Sequence, residues 1–204
     1  MSVLSHADLA NLCSRAYTEL SGVSRELEFL IRRVDNVSYI AIRGTEASGF
    51  IDGFGWLDVI RNMRVLPRYN KATGAGHGGF ITGGESVARA LIEFGALGDT
   101  VVITGHSLGA AVGIVAAQIL HEAGFKIDEV VLFGCPRVYA LFRPSFPFPV
   151  TSYRHGSDVV CNVPRCYRQP VGLTKLNPNS NFPNWGDHMI EKYEVALRAL
   201  EQAA

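Results

Sequence analysis

The sequence predicts an α/β fold with a mostly parallel central sheet and helices on both faces. Three observations predict it. The runs TVVITGH (100–106) and EVVLFGC (129–135) are short and continuously apolar, as strands buried on both faces are. Stretches with helical spacing alternate with these runs, which implies parallel strands joined by crossover helices. The 204 residues are 48% hydrophobic and 19% charged, a globular composition that fits one domain over residues 1–204. At this length folding removes roughly 70% of the accessible surface, enough for a hydrophobic core.

Residues 5–20 read as a helix, with Ser5 and Asp8 at capping spacing and Leu9, Leu12, Ala16 and Leu20 on one face. ELEFLIRRV (26–34) and VSYIAIRG (37–44) are strand-like and joined by Asp35-Asn36, a hairpin turn. Residues 45–56 are rich in glycine and apolar side chains without a steady period, which marks a loop of exposed aromatic character. Val87, Leu91 and Phe94 predict a helix over 85–97. After the strand at 100–106 comes a helix over 107–124, then strands at 129–135 and 149–155. An amphipathic helix follows at about 187–201, with Ile190, Tyr193, Leu197 and Leu200 on one side.

Charge and cysteine usage exclude several classes. Lys plus Arg is 19 and Asp plus Glu is 19, so no basic bias drives binding to a nucleic-acid backbone. No stretch of about 18 uncharged apolar residues occurs, so no transmembrane segment is expected. The start MSVLSHADLANLCSRAY lacks the basic and apolar regions of a Sec signal peptide. A cytoplasmic chain is the default expectation, with release by a non-Sec route left open. Cys161 and Cys166 can pair in an oxidising compartment, although free thiols are expected. No Cys/His set has zinc spacing, and neither a metal nor a cofactor is expected.

The strongest chemical signal is Gly105-His106-Ser107-Leu108-Gly109, set between an apolar strand and a small-residue helix. This is the G-x-S-x-G pattern in the strand–turn–helix context that presents a serine hydroxyl above a sheet edge. A chance match in a chain with 21 glycines is the competing reading, and the flanking elements argue against it. Glycines two before and two after Ser107 are required where a side chain would clash. The amide of Leu108, at the helix N-terminus, is placed to stabilise an oxyanion. A serine needs a histidine base, itself oriented by a carboxylate. His188 follows a long polar loop and is the preferred base, with His155 the runner-up; His121 lies about 20 Å along the helix from Ser107 and reads as a dipole partner at the helix end. Asp158 directly follows the 149–155 strand on the side of the nucleophile and is the preferred acid. Asp128 precedes its strand, and Asp187 reads as an N-cap. Thr45 after the strand at 37–44 is either a second oxyanion donor or part of a plain turn.

AIRGTE (41–46), HGGF (77–80), TGHSLGAA (104–111), FGCPRV (133–138), SDVVCNVP (157–164) and Asp187-His188 appear in that order. Together they resemble the class 3 (fungal-type) lipases of the α/β-hydrolase superfamily. The resemblance implies Ser107 as nucleophile, Asp158 as acid, His188 as base, and Thr45 with Leu108 as the oxyanion hole. It maps a lid onto residues 46–60, where Phe50, Ile51, Phe54 and Trp56 would meet substrate or a lipid interface. His77 and Arg137 belong to the motifs and read as structural. Ile42 stands where phenylalanine is common, and His155-Gly156-Ser157 replaces an asparagine-containing turn. The apolar insertion ALFRPSFPFPV (140–150) lines an acyl pocket or packs at the surface.

The expected activity is that of a lipase or esterase, cleaving acylglycerols or other acyl esters through an acyl-enzyme. The same triad serves a phospholipase or an acyltransferase, and an idle lipid-binding protein of the same fold is the alternative outside enzymology. The expected partners are a small acyl ester or lipid and a transient lipid interface, with no nucleic acid.

Overall fold

The computed structural model describes residues 4–19, 22–24, 27–44, 66–95, 97–178 and 184–203. It begins with α1 (His6–Arg15), β1 (Gly22–Ser24), β2 (Leu27–Val34) and β3 (Val37–Ile42). A short pair, β4 (Pro67–Asn70) and β5 (Gly74–His77), leads into α2 (Gly78–Phe94). Then come β6 (Thr100–His106), α3 (Leu108–Glu122), β7 (Ile127–Phe133), β8 (Val150–His155), β9 (Leu173–Leu176) and α4 (Ile190–Gln202).

Seven strands form one sheet in the order β1-β2-β3-β6-β7-β8-β9. The β1–β2–β3 meander is antiparallel, and every pairing from β3 to β9 is parallel. Strand side chains alternate between two apolar layers. Ile40, Ile42, Val101, Ile103, Val130 and Leu132 pack with α2 and α3. Tyr39, Ala41, Val102, Val131 and Phe133 pack with α1 and α4 through Leu9, Leu12, Tyr193 and Leu197. Both faces of the central strands are therefore covered, which is why their sequences show no alternation.

Several boundaries differ from the sequence expectation. Helix α2 starts seven residues before the expected Glu85, because Gly78, Gly83 and Gly84 are buried in it rather than forming a turn. Tertiary packing here overrides the poor helix propensity of glycine. Helix α1 stops at Arg15, with Ala16 as its C-cap. Residues Trp185–His188 form a separate 3₁₀ turn, so Asp187 does not cap the last helix. It is buried instead and accepts from the Ser157 amide at 2.9 Å. The strands β1, β4, β5 and β9 were not expected: each is three or four residues long and lacks a continuous apolar run. All four cysteines are free thiols, Cys161 buried and Cys166 exposed.

The capping spacing at the start of α1 is realised in full. The Ser5 side chain accepts from the Asp8 amide at 3.2 Å, and Asp8 Oδ2 accepts from the Ser5 amide at 3.0 Å. Asp8 Oδ1 also receives Arg198 of α4 at 2.8 Å, tying the two helices of that face together. Ser5→Ala is expected to cost about 1 kcal/mol, lowering the melting temperature by about 2–4 °C in a thermal scan.

Candidate active site

The last residue of β6 and the first of α3 are separated by Ser107 alone. Its backbone sits at φ 58° and ψ −126°, a region costly for any residue with a Cβ. The strain is held by the sheet and the helix. The Ser107 amide donates to the Phe133 carbonyl at 3.0 Å, and its carbonyl accepts from Ala110 and Ala111. A Cβ on Gly109 would lie 2.0 Å from the Ile42 carbonyl oxygen, and one on Gly105 would lie 2.4 Å from that of Gly109. Both glycines are therefore required by close approach, as the motif predicts.

The Ser107 Oγ is 2.8 Å from His188 Nε2, and His188 Nδ1 is 2.8 Å from Asp158 Oδ2. A carboxylate only accepts, so Nδ1 carries the proton and Nε2 is left to accept from the serine hydroxyl. Asp158 has no exposed surface. The Tyr193 hydroxyl of α4 donates to its Oδ2 at 2.5 Å, and the Val160 amide to its Oδ1 at 2.8 Å. Burial pushes this carboxyl up, but His188, the Tyr193 hydroxyl and the Val160 amide together hold it below its ordinary value.

A second set of contacts fixes the histidine. His106 Nε2 donates to the His188 carbonyl at 2.7 Å, so its Nδ1 accepts from the Tyr17 hydroxyl at 2.9 Å. Burial pushes the His106 imidazole down to about 3. It stays neutral. Gly134, at φ 59°, follows β7 and leaves room for the pair: a Cβ there would lie 2.8 Å from His188 Cε1 and 2.9 Å from Asp158 Oδ2.

The structure thus brings Ser107, His188 and Asp158 into one hydrogen-bonded line. Leu108 is the first residue of α3, where the amide has no acceptor within the helix. Thr45, Phe50, Ile51, Phe54 and Trp56 lie outside the described residues. Gly44, just before Thr45, does reach the site: a Cβ on it would be 3.3 Å from Ser107 Cβ. His155 does not face the serine; its Nδ1 is 3.5 Å from Asp187 Oδ1. His121 is exposed in the last turn of α3, its ring edge-on to Phe148. His77 stacks on Phe80 at the start of α2, and Arg137 Nη1 donates to the Arg165 carbonyl at 3.2 Å. Tyr17, Tyr193 and Gly134 escaped the sequence reading. Tyr193 was visible only as an apolar-face residue, and nothing in the sequence marks its hydroxyl as buried against a carboxylate.

A family model described as lipase (class 3) matches residues 39–168. The chain is 34% identical over 97 residues to secreted mono- and diacylglycerol lipase 3 of Gibberella zeae. It is 38% identical over 98 residues to secreted mono- and diacylglycerol lipase 1 of Fusarium solani. Each match covers 43% of this chain, but the chain spans only 30% and 29% of those relatives. Both relatives are named as secreted, which overturns the expectation of a cytoplasmic chain. Among solved structures, a mutant form of MDLA from Penicillium cyclopium has a TM-score of 0.56 at 15% identity, over 90% of this chain and 82% of that one. A lipase from Yarrowia lipolytica has a TM-score of 0.56 at 17% identity, over 94% and 88%. The fold is that of the α/β-hydrolases.

The neutral His106 has a consequence for acid stability. In the unfolded chain its imidazole takes up a proton below about pH 6.5, while the folded one resists until about 3. Across that window the unfolded state binds more protons, so stability falls as pH drops, by up to about 1.4 kcal/mol per pH unit. His77, which burial pushes down to about 4, acts with the same sign from about 6.5 to 4. Asp158 adds to the loss only at lower pH, where the unfolded carboxyl takes up a proton that the folded one still resists. Denaturant midpoints are expected to decline steadily from pH 6.5 to 4, and His106→Asn to make that decline shallower.

Proposed function

The chain belongs to the class 3 lipase family, and from that premise we propose that it hydrolyses carboxylic esters of the acylglycerol type through Ser107, His188 and Asp158. The observation that carries the reading is the continuous line from Ser107 Oγ through His188 to Asp158, both steps at 2.8 Å. Ser107 Oγ attacks the ester carbonyl carbon while His188 Nε2 takes the hydroxyl proton. The tetrahedral oxyanion accepts from the Leu108 amide, with Thr45 as the second donor. His188 then protonates the leaving alcohol, which departs and leaves the acyl group on Ser107. Water, deprotonated by His188, releases the fatty acid and restores the serine. Asp158, ionised and buried, stabilises the imidazolium throughout without taking its proton.

Mono- and diacylglycerols are the substrate class, a reading supported by the names of the two relatives. Their secreted naming supports action outside the cell. Residues 46–60, with Phe50, Ile51, Phe54 and Trp56, are the proposed lid and acyl-contacting segment. The whole of residues 1–204 acts as one hydrolase domain.

Hydrolysis of p-nitrophenyl esters from acetate to palmitate, and of emulsified monoacylglycerol, tests the reading. Ser107→Ala is expected to lower kcat/KM by roughly 10⁴-fold or more, and Asp158→Asn by roughly 10⁴-fold. A fluorophosphonate is expected to label Ser107 covalently and to leave Ser107→Ala unlabelled. Turnover that survives Ser107→Ala would overturn the assignment.

A further inference from the structure

The segment 140–150 is split between two environments. Phe146 and Phe148 turn inward and join the layer beneath α3. Leu141 and Phe142 do the opposite and are 72% and 82% exposed. Beside this apolar tip lies a cleft of about 440 Å³ lined by Arg137, Arg143, Arg165 and Arg168, with Cys166 and Gln169. Among the described residues no carboxylate lines it. None of the four arginines is ion-paired among the described residues. The cleft is braced by its own backbone. Arg168 Nε donates to the Leu141 carbonyl at 2.9 Å, and Arg137 Nη1 to the Arg165 carbonyl at 3.2 Å. Residues 139 and 168 are bridged as in an antiparallel sheet, so the tip and one wall are held together.

We propose that this arginine-lined cleft and the Leu141–Phe142 tip form a docking site for an anionic lipid surface. Guanidinium groups present planar, bidentate donors that suit phosphate, and they are less strongly hydrated than an ammonium. Uncompensated arginines on one patch attract a negatively charged headgroup layer, and the attraction falls off within a Debye length. Two neighbouring exposed apolar side chains supply what a soluble anion has no use for, burial at the boundary between headgroups and acyl chains. The combination selects a phospholipid surface over free phosphate and over a nucleic-acid backbone. Attachment to such a surface needs no ester cleavage and stands whether or not Ser107 turns over any substrate.

The test uses the full chain carrying Ser107→Ala, so that no lipid is consumed, with a fluorophore on Cys166, the one exposed thiol. Vesicles of phosphatidylcholine alone are compared with vesicles that also contain phosphatidylglycerol. Co-sedimentation and a blue shift of the Cys166 probe are expected with the anionic vesicles only, and both should weaken as salt is raised. Arg143→Glu with Arg165→Glu is expected to lower partitioning roughly ten-fold or more, and Leu141→Ser with Phe142→Ser to lower it as well. These variants should keep the far-ultraviolet circular dichroism and melting temperature of the parent chain, which shows that they are folded. Equal binding to neutral vesicles, or indifference to the charge reversals, overturns the proposal. So does sedimentation without a Cys166 response, which would place the contact on another surface. A Cys166 response to inorganic phosphate without vesicle binding would assign the cleft to a soluble anion instead.

Discussion

A carboxylate with no exposed surface stays ionised only where charge and hydrogen bonds replace the water it has lost, and Asp158 is that carboxylate. Its three principal donors arrive from different places. Val160 belongs to the turn after β8, Tyr193 to α4, and His188 to the 3₁₀ turn between β9 and α4. None of these segments can shift without leaving a buried acceptor short of a donor, at a cost of several kcal/mol by general experience with buried ion pairs. The same interaction settles the proton on His188 Nδ1 and so makes Nε2 an acceptor for Ser107. The orientation of the Ser107–His188 pair is thus a consequence of how a buried charge is satisfied.

The sheet topology explains why these groups meet at all. In a parallel sheet successive strands end on the same edge, and their following loops emerge side by side. Ser107 follows β6, Gly134 follows β7 and Asp158 comes just after β8, three neighbouring strands in the observed order. The pairing of His106 with Phe133 fixes how far β6 extends relative to β7, and the Ser107 amide takes the Phe133 carbonyl one step beyond it. Gly134 must then pass directly under the histidine and the aspartate, and only a glycine at positive φ leaves room for both. His106 holds the other side. A neutral imidazole there can donate to the His188 carbonyl and accept from Tyr17 at once, which a protonated ring could not do.

Much of this was legible in the sequence because it rests on local constraints. The β6–Ser107–α3 turn needs its glycines in fixed places, and continuous apolar runs betray strands covered on both faces. Asp158 was reached as the acid that follows the 149–155 strand at the Ser107 end of the sheet, and His188 as the histidine behind a long polar loop. What was not legible depends on partners distant in sequence. The Tyr193 hydroxyl meets Asp158 across 35 residues and the Tyr17 hydroxyl meets His106 across 89, and a tyrosine on an amphipathic face looks the same with or without such a bond. Asp187 misled for the same reason. Its position suggested a cap, but Ser157 and Lys192 draw it inward and it lies within a 3₁₀ turn ahead of the helix.

Net charge shows how far a global quantity can mislead about a local one. Equal numbers of acids and bases cancel any long-range field, which argues against a polyanion drawn in from a distance. Yet the cancellation is uneven in space. Arg15, Arg43, Arg68 and Arg198 are matched by Glu19, Glu28, Glu85 and Asp8. Among the described residues the arginines around the Leu141–Phe142 tip have no such partner. A short-range contact depends only on what lies within about a Debye length of it. A neutral chain can therefore carry a patch that recognises an anionic surface on close approach, next to the apolar side chains that such a surface would bury.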